Sequence, residues 1–326
     1  MTAKRRTASQ KGAEVKWIGG LAEWQEGDTT FLSIAFTYKL DEAFSRALFA
    51  KACGRKVVAG GPALFLVQMR HALADVAEIP TKRIAIDGKE RIVPGDYPGG
   101  DAVRFHNSAA TFASRGCPVG CWFCIVPKLE GKEFTLIPDF PVRPILCDNN
   151  LSALPMDYQR HIIERYQASG VNLIDANSGF EPITFTDDVY RLWKPLINAG
   201  RGPWRFAYDE TKEGPQVRQV MRMLADEPQK RKRVYVLVGN EPYAECMARI
   251  QEVIDGGCEP HVQPYLKLNA LVREPHVRFD WTGQRLKDVA RWANGFLWKK
   301  TPFVEYDRAM KKRSAETYDE QQGLFV

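Results

Sequence analysis

From residue 107 to residue 270 short apolar runs alternate with stretches of helical periodicity, and few folds accept that pattern. The apolar runs are Ala109 to Ser114, Pro144 to Cys147, Val171 to Ala176, Trp204 to Tyr208, Arg233 to Val238 and His261 to Leu268. Helical segments lie between them near 157–168, 187–199, 215–225 and 242–255. Strands alternating with helices over this length predict a parallel sheet covered by helices, either doubly wound or curled toward a barrel. Six such strands make an incomplete barrel, so the expected architecture is α/β with a partial (β/α)6 barrel. In these folds the reactive side chains sit just past the C-terminal ends of the strands, which singles out the residues that follow each apolar run.

Ahead of this region the chain reads strand, helix, strand: Thr29 to Thr37 is β-branched and aromatic, Asp41 is placed to cap a helix over Glu42 to Cys53, and Lys56 to Ala59 ends at Gly60-Gly61-Pro62. A small flavodoxin-like βαβ domain is therefore expected over 13–105, its last part, 80–105, being a Pro- and Gly-rich connection without sustained period. The barrel is assigned to 106–275 and a C-terminal helical extension and tail to 276–326, with Leu286, Val289, Ala290, Ala293, Phe296 and Leu297 on one helical face. Residues 1–12 read as a disordered basic tail, with no apolar segment to make a signal peptide, and a cytoplasmic location is expected. With 44% hydrophobic and 26% charged residues the chain is neither disordered nor fibrous, and no apolar run nears the roughly 18 residues of a membrane span.

Three of the seven cysteines fall within eight positions, Cys117-Pro-Val-Gly-Cys121-Trp-Phe-Cys124, directly after the first strand of the expected barrel. In a reducing compartment such crowding points to a metal site. Three thiolates on one tight loop can hold three irons of a cubane cluster and leave the fourth open. The ordinary alternative is a zinc knuckle, which asks for a second pair of ligands that this chain lacks: Cys147, Cys246, Cys258 and the five histidines are scattered singly.

The spacing C-x3-C-x2-C, with Phe123 before the third cysteine, resembles the radical S-adenosylmethionine (SAM) superfamily over roughly residues 107–270. The resemblance implies a 4Fe-4S cluster on Cys117, Cys121 and Cys124, with SAM chelating the open iron. It further implies reductive cleavage of SAM to a 5′-deoxyadenosyl radical that takes a hydrogen atom from a substrate, with the electron from a donor such as flavodoxin or ferredoxin. It assigns Phe123 and Asp148-Asn149-Asn150, in the place of the family's Gly-Gly-Glu, to the SAM site. Gly239 and Glu241 resemble its Gly-x-Glu turn. Asn177, Ser178 and Tyr208 are candidates for the ribose or substrate, and Glu181 and Asp209 are candidate catalytic groups.

The N-terminal unit resembles a truncated cobalamin-binding domain. Its Asp-x-His-x-x-Gly loop is missing, since neither His71 nor His106 has that context, so cobalamin is not expected. A methylthiotransferase is disfavoured because the N-terminal domain holds only Cys53. For the substrate two classes compete. A nucleotide or nucleic-acid base fits the net charge of +6, the runs Lys230-Arg231-Lys232-Arg233, Lys299-Lys300 and Lys311-Lys312-Arg313, and the tail Gln321-Gln322-Gly323-Leu324-Phe325, which resembles the motif that docks on bacterial sliding clamps. A small metabolite or peptide fits the lack of any nucleic-acid module. A third reading is a non-enzymatic iron–sulfur or zinc binding module.

Overall fold

The computed structural model describes residues 17–86, 89–95, 102–177 and 179–306. Ser178, the basic N-terminal tail, Lys311-Lys312-Arg313 and the clamp-like tail therefore lie outside the described residues. The chain divides into two compact units, Met1–Phe206 with Leu266–Glu274, and Ala207–Tyr265 with Pro275–Val326.

The first unit opens on an antiparallel hairpin of β1 (Leu21–Glu26) and β2 (Thr29–Ile34), closed by the two-residue turn Gly27-Asp28 with Gly27 at φ +53°. Short hairpin loops favour this positive φ because it matches the twist of the strands. Helix α1 (Leu40–Ala52) then crosses to β3 (Lys56–Gly60), which pairs parallel with β2 as the βαβ reading expects. The buried face of α1 is Ala43, Ala47 and Ala50, small residues at helical spacing that bring the backbone close to Leu32, Ile34, Val57 and Ala59. A short helix α2 (Val67–Leu73) adds Met69 and Leu73, each large apolar side chain contributing roughly 1.5–3 kcal/mol by burial.

The connection expected without structure contains a second hairpin, β4 (Thr81–Ile86) with β5 (Lys89–Pro94). The cue was present in Asp87-Gly88, a favoured hairpin turn, and was outweighed by the Pro and Gly residues that follow it.

After α3 (Val103–His106) comes β6 (Ala110–Thr111), then β7 (Ser114–Arg115), α4 (Val126–Leu129), β8 (Thr135–Leu136) and β9 (Ile145–Leu146). Helix α5 (Met156–Ser169) leads to β10 (Asp175–Ala176), and α6 (Asp187–Gly200) leads to β11 (Trp204–Ala207), where the chain passes into the second unit. Strands β6, β9 and β10 are parallel and adjacent in chain order, while β7 and β8 pair antiparallel. The parallel ladders are only two residues long, extended by bonds such as Cys147 N–H to Thr111 O and Asn177 N–H to Leu146 O, both 2.8 Å. An aromatic core of Phe180, Phe185, Trp193, Trp204 and Phe206 packs with ring centroids 4.8–6.0 Å apart. Trp193 Nε1 donates to the buried Gln159 at 2.8 Å and so ties α6 to α5.

In the second unit α7 (Gly214–Met223) precedes β12 (Lys232–Val238), and α8 (Tyr243–Asp255) crosses to β13 (Glu259–Pro264), parallel to β12. Helix α9 (Gly283–Asn294), capped by Thr282 Oγ1 at 3.1 Å from Arg285 N, buries Leu286, Val289 and Ala293 of the expected face together with Trp292, whereas Phe296 lies beyond its end and is exposed. In the basic run that leads into β12 only Lys230 is exposed. Lys232 is buried, Arg231 pairs with Glu227 at 3.3 Å, and Arg233 pairs with the buried Glu259, which also holds Lys299 at 2.9 Å.

The architecture is mixed α/β in several small sheets, and among the described residues none closes into a barrel. None of their helices is long and apolar enough to cross a membrane. One close approach gives a direct test of the first unit. Gly61 has φ +99°, and a Cβ there would meet Ile34 N and O at 2.6 Å, whereas Gly54, at φ +78°, faces open space. Gly54→Ala should cost about 1–2 kcal/mol, the left-handed penalty alone, and Gly61→Ala clearly more, since backbone must also move. Denaturant unfolding of the two variants checks the order.

Candidate metal centre

The three clustered cysteines ride on an excursion between the paired strands β7 and β8, entered through Gly116 at φ +90°. Gly116 is tight against the Glu133 carbonyl, so no side chain fits there. A second positive φ, +71° at Gly120, turns the chain toward Cys121, and the Cys124 amide closes on the Cys121 carbonyl at 3.0 Å. Helix α4 starts two residues after Cys124.

Cys117, Cys121 and Cys124 are half-buried and form no disulfide. Two of the sulfurs receive hydrogen bonds: Val126 N–H reaches Cys124 Sγ at 3.4 Å, and Asn150 Nδ2 reaches Cys117 Sγ at 3.8 Å. Donors aimed at sulfur stabilise thiolate charge, and they tune iron–sulfur clusters in the same way. Cys147 differs. It is buried at the end of β9, and burial, then the charges of Asp148 and Asp175, push its thiol up to about 12, so it stays protonated and inert.

Asp148-Asn149-Asn150 follows β9 and faces the cysteine loop. The fully buried Asp148 accepts from Ala113 N at 2.8 Å and from Ser114 Oγ. Asn149 Nδ2 donates to Gly116 O at 3.2 Å and to Glu130 Oε2 at 2.8 Å. Asn150, besides its bond to Cys117, accepts from Ala153 N at 3.1 Å through Oδ1. The residues assigned to SAM by resemblance are thus the ones that organise the loop. Glu130, which also accepts from Gly116 N at 2.8 Å and pairs with Arg115, carries no sequence signal and was missed.

Phe123 stands edge-on to Trp122 with ring centroids 5.4 Å apart, and Trp122 and Val119 of the same loop are exposed. Asn177 and Glu181 are half-buried in this unit, and the Glu181 amide donates to Ser152 Oγ at 2.8 Å. The remaining candidates lie in the second unit. The Tyr208 hydroxyl donates to Glu252 at 2.6 Å, and burial followed by that carboxylate raises its pKa. The Asp209 N–H donates to Glu213 Oε2 at 2.7 Å, and the Asp209 carbonyl accepts from Asn240 Nδ2 at 2.6 Å. Gly239 has φ +87° against Leu286. The Glu241 carboxylate accepts from Thr211 Oγ1 and from Arg249 Nη2, both at 3.0 Å. Arg249, also missed, is fully buried and donates to the carbonyls of Tyr208 and Leu237.

Among the described residues no three His, Cys, Asp or Glu side chains converge as ligands of one metal ion. Zinc needs that convergence. The N–H donors on Cys117 and Cys124 suit thiolate ligands, the kind an iron–sulfur cluster takes. Comparison of the chain with protein-family models, curated proteins and solved structures finds no match.

The electrostatics of this site carry a pH signature. Asp148 is raised to about 6 from 3.8, chiefly by burial and against its hydrogen bonds from Ser114 and Ala113. Between those values the folded chain keeps a proton that the unfolded chain releases. The group's contribution is therefore complete below about pH 4 and lost as pH rises through about 6. Relative to Asp148→Asn, which does not titrate, the wild-type protein should lose stability from pH 4 to 6, on the order of 3 kcal/mol in total. Unfolding measured for both proteins across that range checks it, and a difference independent of pH contradicts it.

Proposed function

We propose that this chain is a radical SAM enzyme. The observation that carries the reading is the C-x3-C-x2-C loop, with its three thiols outside any disulfide, placed between β7 and β8 beyond the parallel strand β6 and supplied with N–H donors to two of its sulfurs. Cys117, Cys121 and Cys124 are the residues to hold a 4Fe-4S cluster. Together with SAM, such a cluster supplies one-electron cleavage that yields a hydrogen-abstracting radical. The chain's part is to bind and orient: the amide of Val126 and the side chain of Asn150 stabilise sulfur charge, and the rings of Trp122 and Phe123 flank the loop. Asn177 and Glu181, half-buried in the same unit, are candidates for contacts to SAM or substrate. The partial (β/α)6 barrel belongs to this proposal. It is supported by parallel neighbours that follow chain order in each unit, β6–β9–β10 in the first and β12–β13 in the second.

Replacing Cys121 with Ala should abolish the visible absorbance of the reconstituted cluster and, with it, formation of 5′-deoxyadenosine from SAM by the reduced protein. Full iron and sulfide content in Cys121→Ala sinks the assignment. Wild-type protein that is iron-replete and reduced yet leaves SAM intact returns the chain to the binding-module reading.

For the substrate, the pairing-off of Arg231 and Arg233 and the burial of Lys232 weaken this run as a phosphate-binding surface, which favours a small metabolite or peptide. The nucleic-acid reading then rests on the net charge of +6, the runs Lys299-Lys300 and Lys311-Lys312-Arg313, and above all the tail sequence. Burying Leu324 and Phe325 in a partner is worth roughly 3 to 6 kcal/mol before ordering costs, enough for a weak docking site. A peptide of residues 316–326 should bind a bacterial sliding clamp in the micromolar range, and Phe325→Ala should remove binding. No binding at high micromolar clamp withdraws the link to DNA.

A further inference from the structure

We infer that Glu130 is the positioning residue that latches the cysteine loop shut and sets the place of Cys117, an inference that rests on the reading of Cys117, Cys121 and Cys124 as cluster ligands. Its carboxylate joins three stretches of chain that sequence separates. Oε2 accepts from Gly116 N–H, the residue before the first cysteine, and from Asn149 Nδ2, just past β9, both at 2.8 Å. Oε1 takes the guanidinium of Arg115, which lies 4.0 Å over the Phe112 ring. Glu130 itself stands at the C-terminal end of α4, six residues beyond Cys124. One side chain, 12% exposed, thus closes the segment from Gly116 to Glu130 into a ring.

Cys117 is held from both sides by this latch. On one side the Gly116 peptide is fixed through its amide by Glu130 and through its carbonyl by Asn149. On the other, Asn149 is anchored on Glu130, and its neighbour Asn150 directs Nδ2 at Cys117 Sγ. All three partners of Glu130 are donors, so the position asks for an acceptor at both oxygens. A glutamine there turns an NH2 group toward one of them and leaves Arg115 without its counter-charge.

The seven cysteines make the test internally controlled, because Cys53 is exposed and Cys147, Cys246 and Cys258 are buried. Full-length, metal-free, reduced protein is treated with iodoacetamide and each site followed by mass spectrometry. In Glu130→Ala the alkylation rate of Cys117 should rise about tenfold or more over wild type, with Cys53 unchanged and the three buried thiols still protected. Asn149→Ala should shift Cys117 in the same direction by less. A general loss of structure exposes Cys147, Cys246 and Cys258 together. If Glu130→Ala does so, Glu130→Gln, nearly identical in size, is read by the same rule. After reconstitution, Glu130→Gln should release iron to a chelator faster than wild type. A Cys117 rate equal to wild type in the variant that keeps its buried thiols protected overturns the latch. Wild-type protein that takes up no cluster overturns the proposed function instead, and the alkylation rates still decide what Glu130 does to the loop.

Discussion

A carboxyl group with no access to water, that of Asp148, sets the geometry from which the cysteine loop follows. A buried polar group is tolerable only with its hydrogen bonds made, so Asp148 is confined to the spot where Ala113 N–H and Ser114 Oγ meet it. Those donors leave β6, and Asp148 leaves β9. The backbone ladder between the two strands is two residue pairs long, too short to define how their exits diverge. Side-chain hydrogen bonds take over that task where the ladder stops. Once Ser114 is placed, β7 can pair with β8, and the excursion they bracket must carry Gly116 close against Glu133.

The polar groups around that excursion are spent differently from those of the second unit. Near the cysteines, amides of Asn150 and Val126 turn toward sulfur. In the second unit they turn toward backbone. Arg249 donates to Tyr208 O and Leu237 O and pairs with Glu241, fixing the exit of β12 beside Gly239. A buried arginine is costly to desolvate and costly to leave unpaired, so it defines a turn more sharply than apolar contact does.

How far the sequence could be read depended on whether a feature was local. Helical periodicity located α5 through α8 to within a residue or two and overran the end of α9 by three, and β-branched runs located β2, β3 and β12. β1 escaped because Leu-Ala-Glu-Trp-Gln-Glu lacks β-branched residues and acquires its strand conformation from pairing with β2. The cysteines were legible because their spacing is short and chemically narrow. Asp148-Asn149-Asn150 was legible as a position past a strand, whereas what each side chain holds became visible only with the loop folded beside it. Nothing in the neighbourhood of Glu130 distinguishes it from the other carboxylates of the chain, since its partners are 14, 15 and 19 residues away.

The same locality explains the misleading weight of the run Lys230-Arg231-Lys232-Arg233. Four consecutive cations look like a surface for phosphate when the partners are out of sight. Glu227 lies four residues before Arg231, and Glu259 lies on the neighbouring strand, directly opposite Arg233 in the parallel register. Glu259 is itself buried and receives both Arg233 and Lys299, so these cations answer a charge inside the unit before any ligand arrives. An anionic partner competing for them would have to leave Glu259 buried and unpaired, an expense of several kcal/mol that surface phosphate contacts do not return. Charge runs that begin a strand therefore say less about nucleic acid than the same residues on an isolated helix face, because cross-strand register decides in advance which of them are taken.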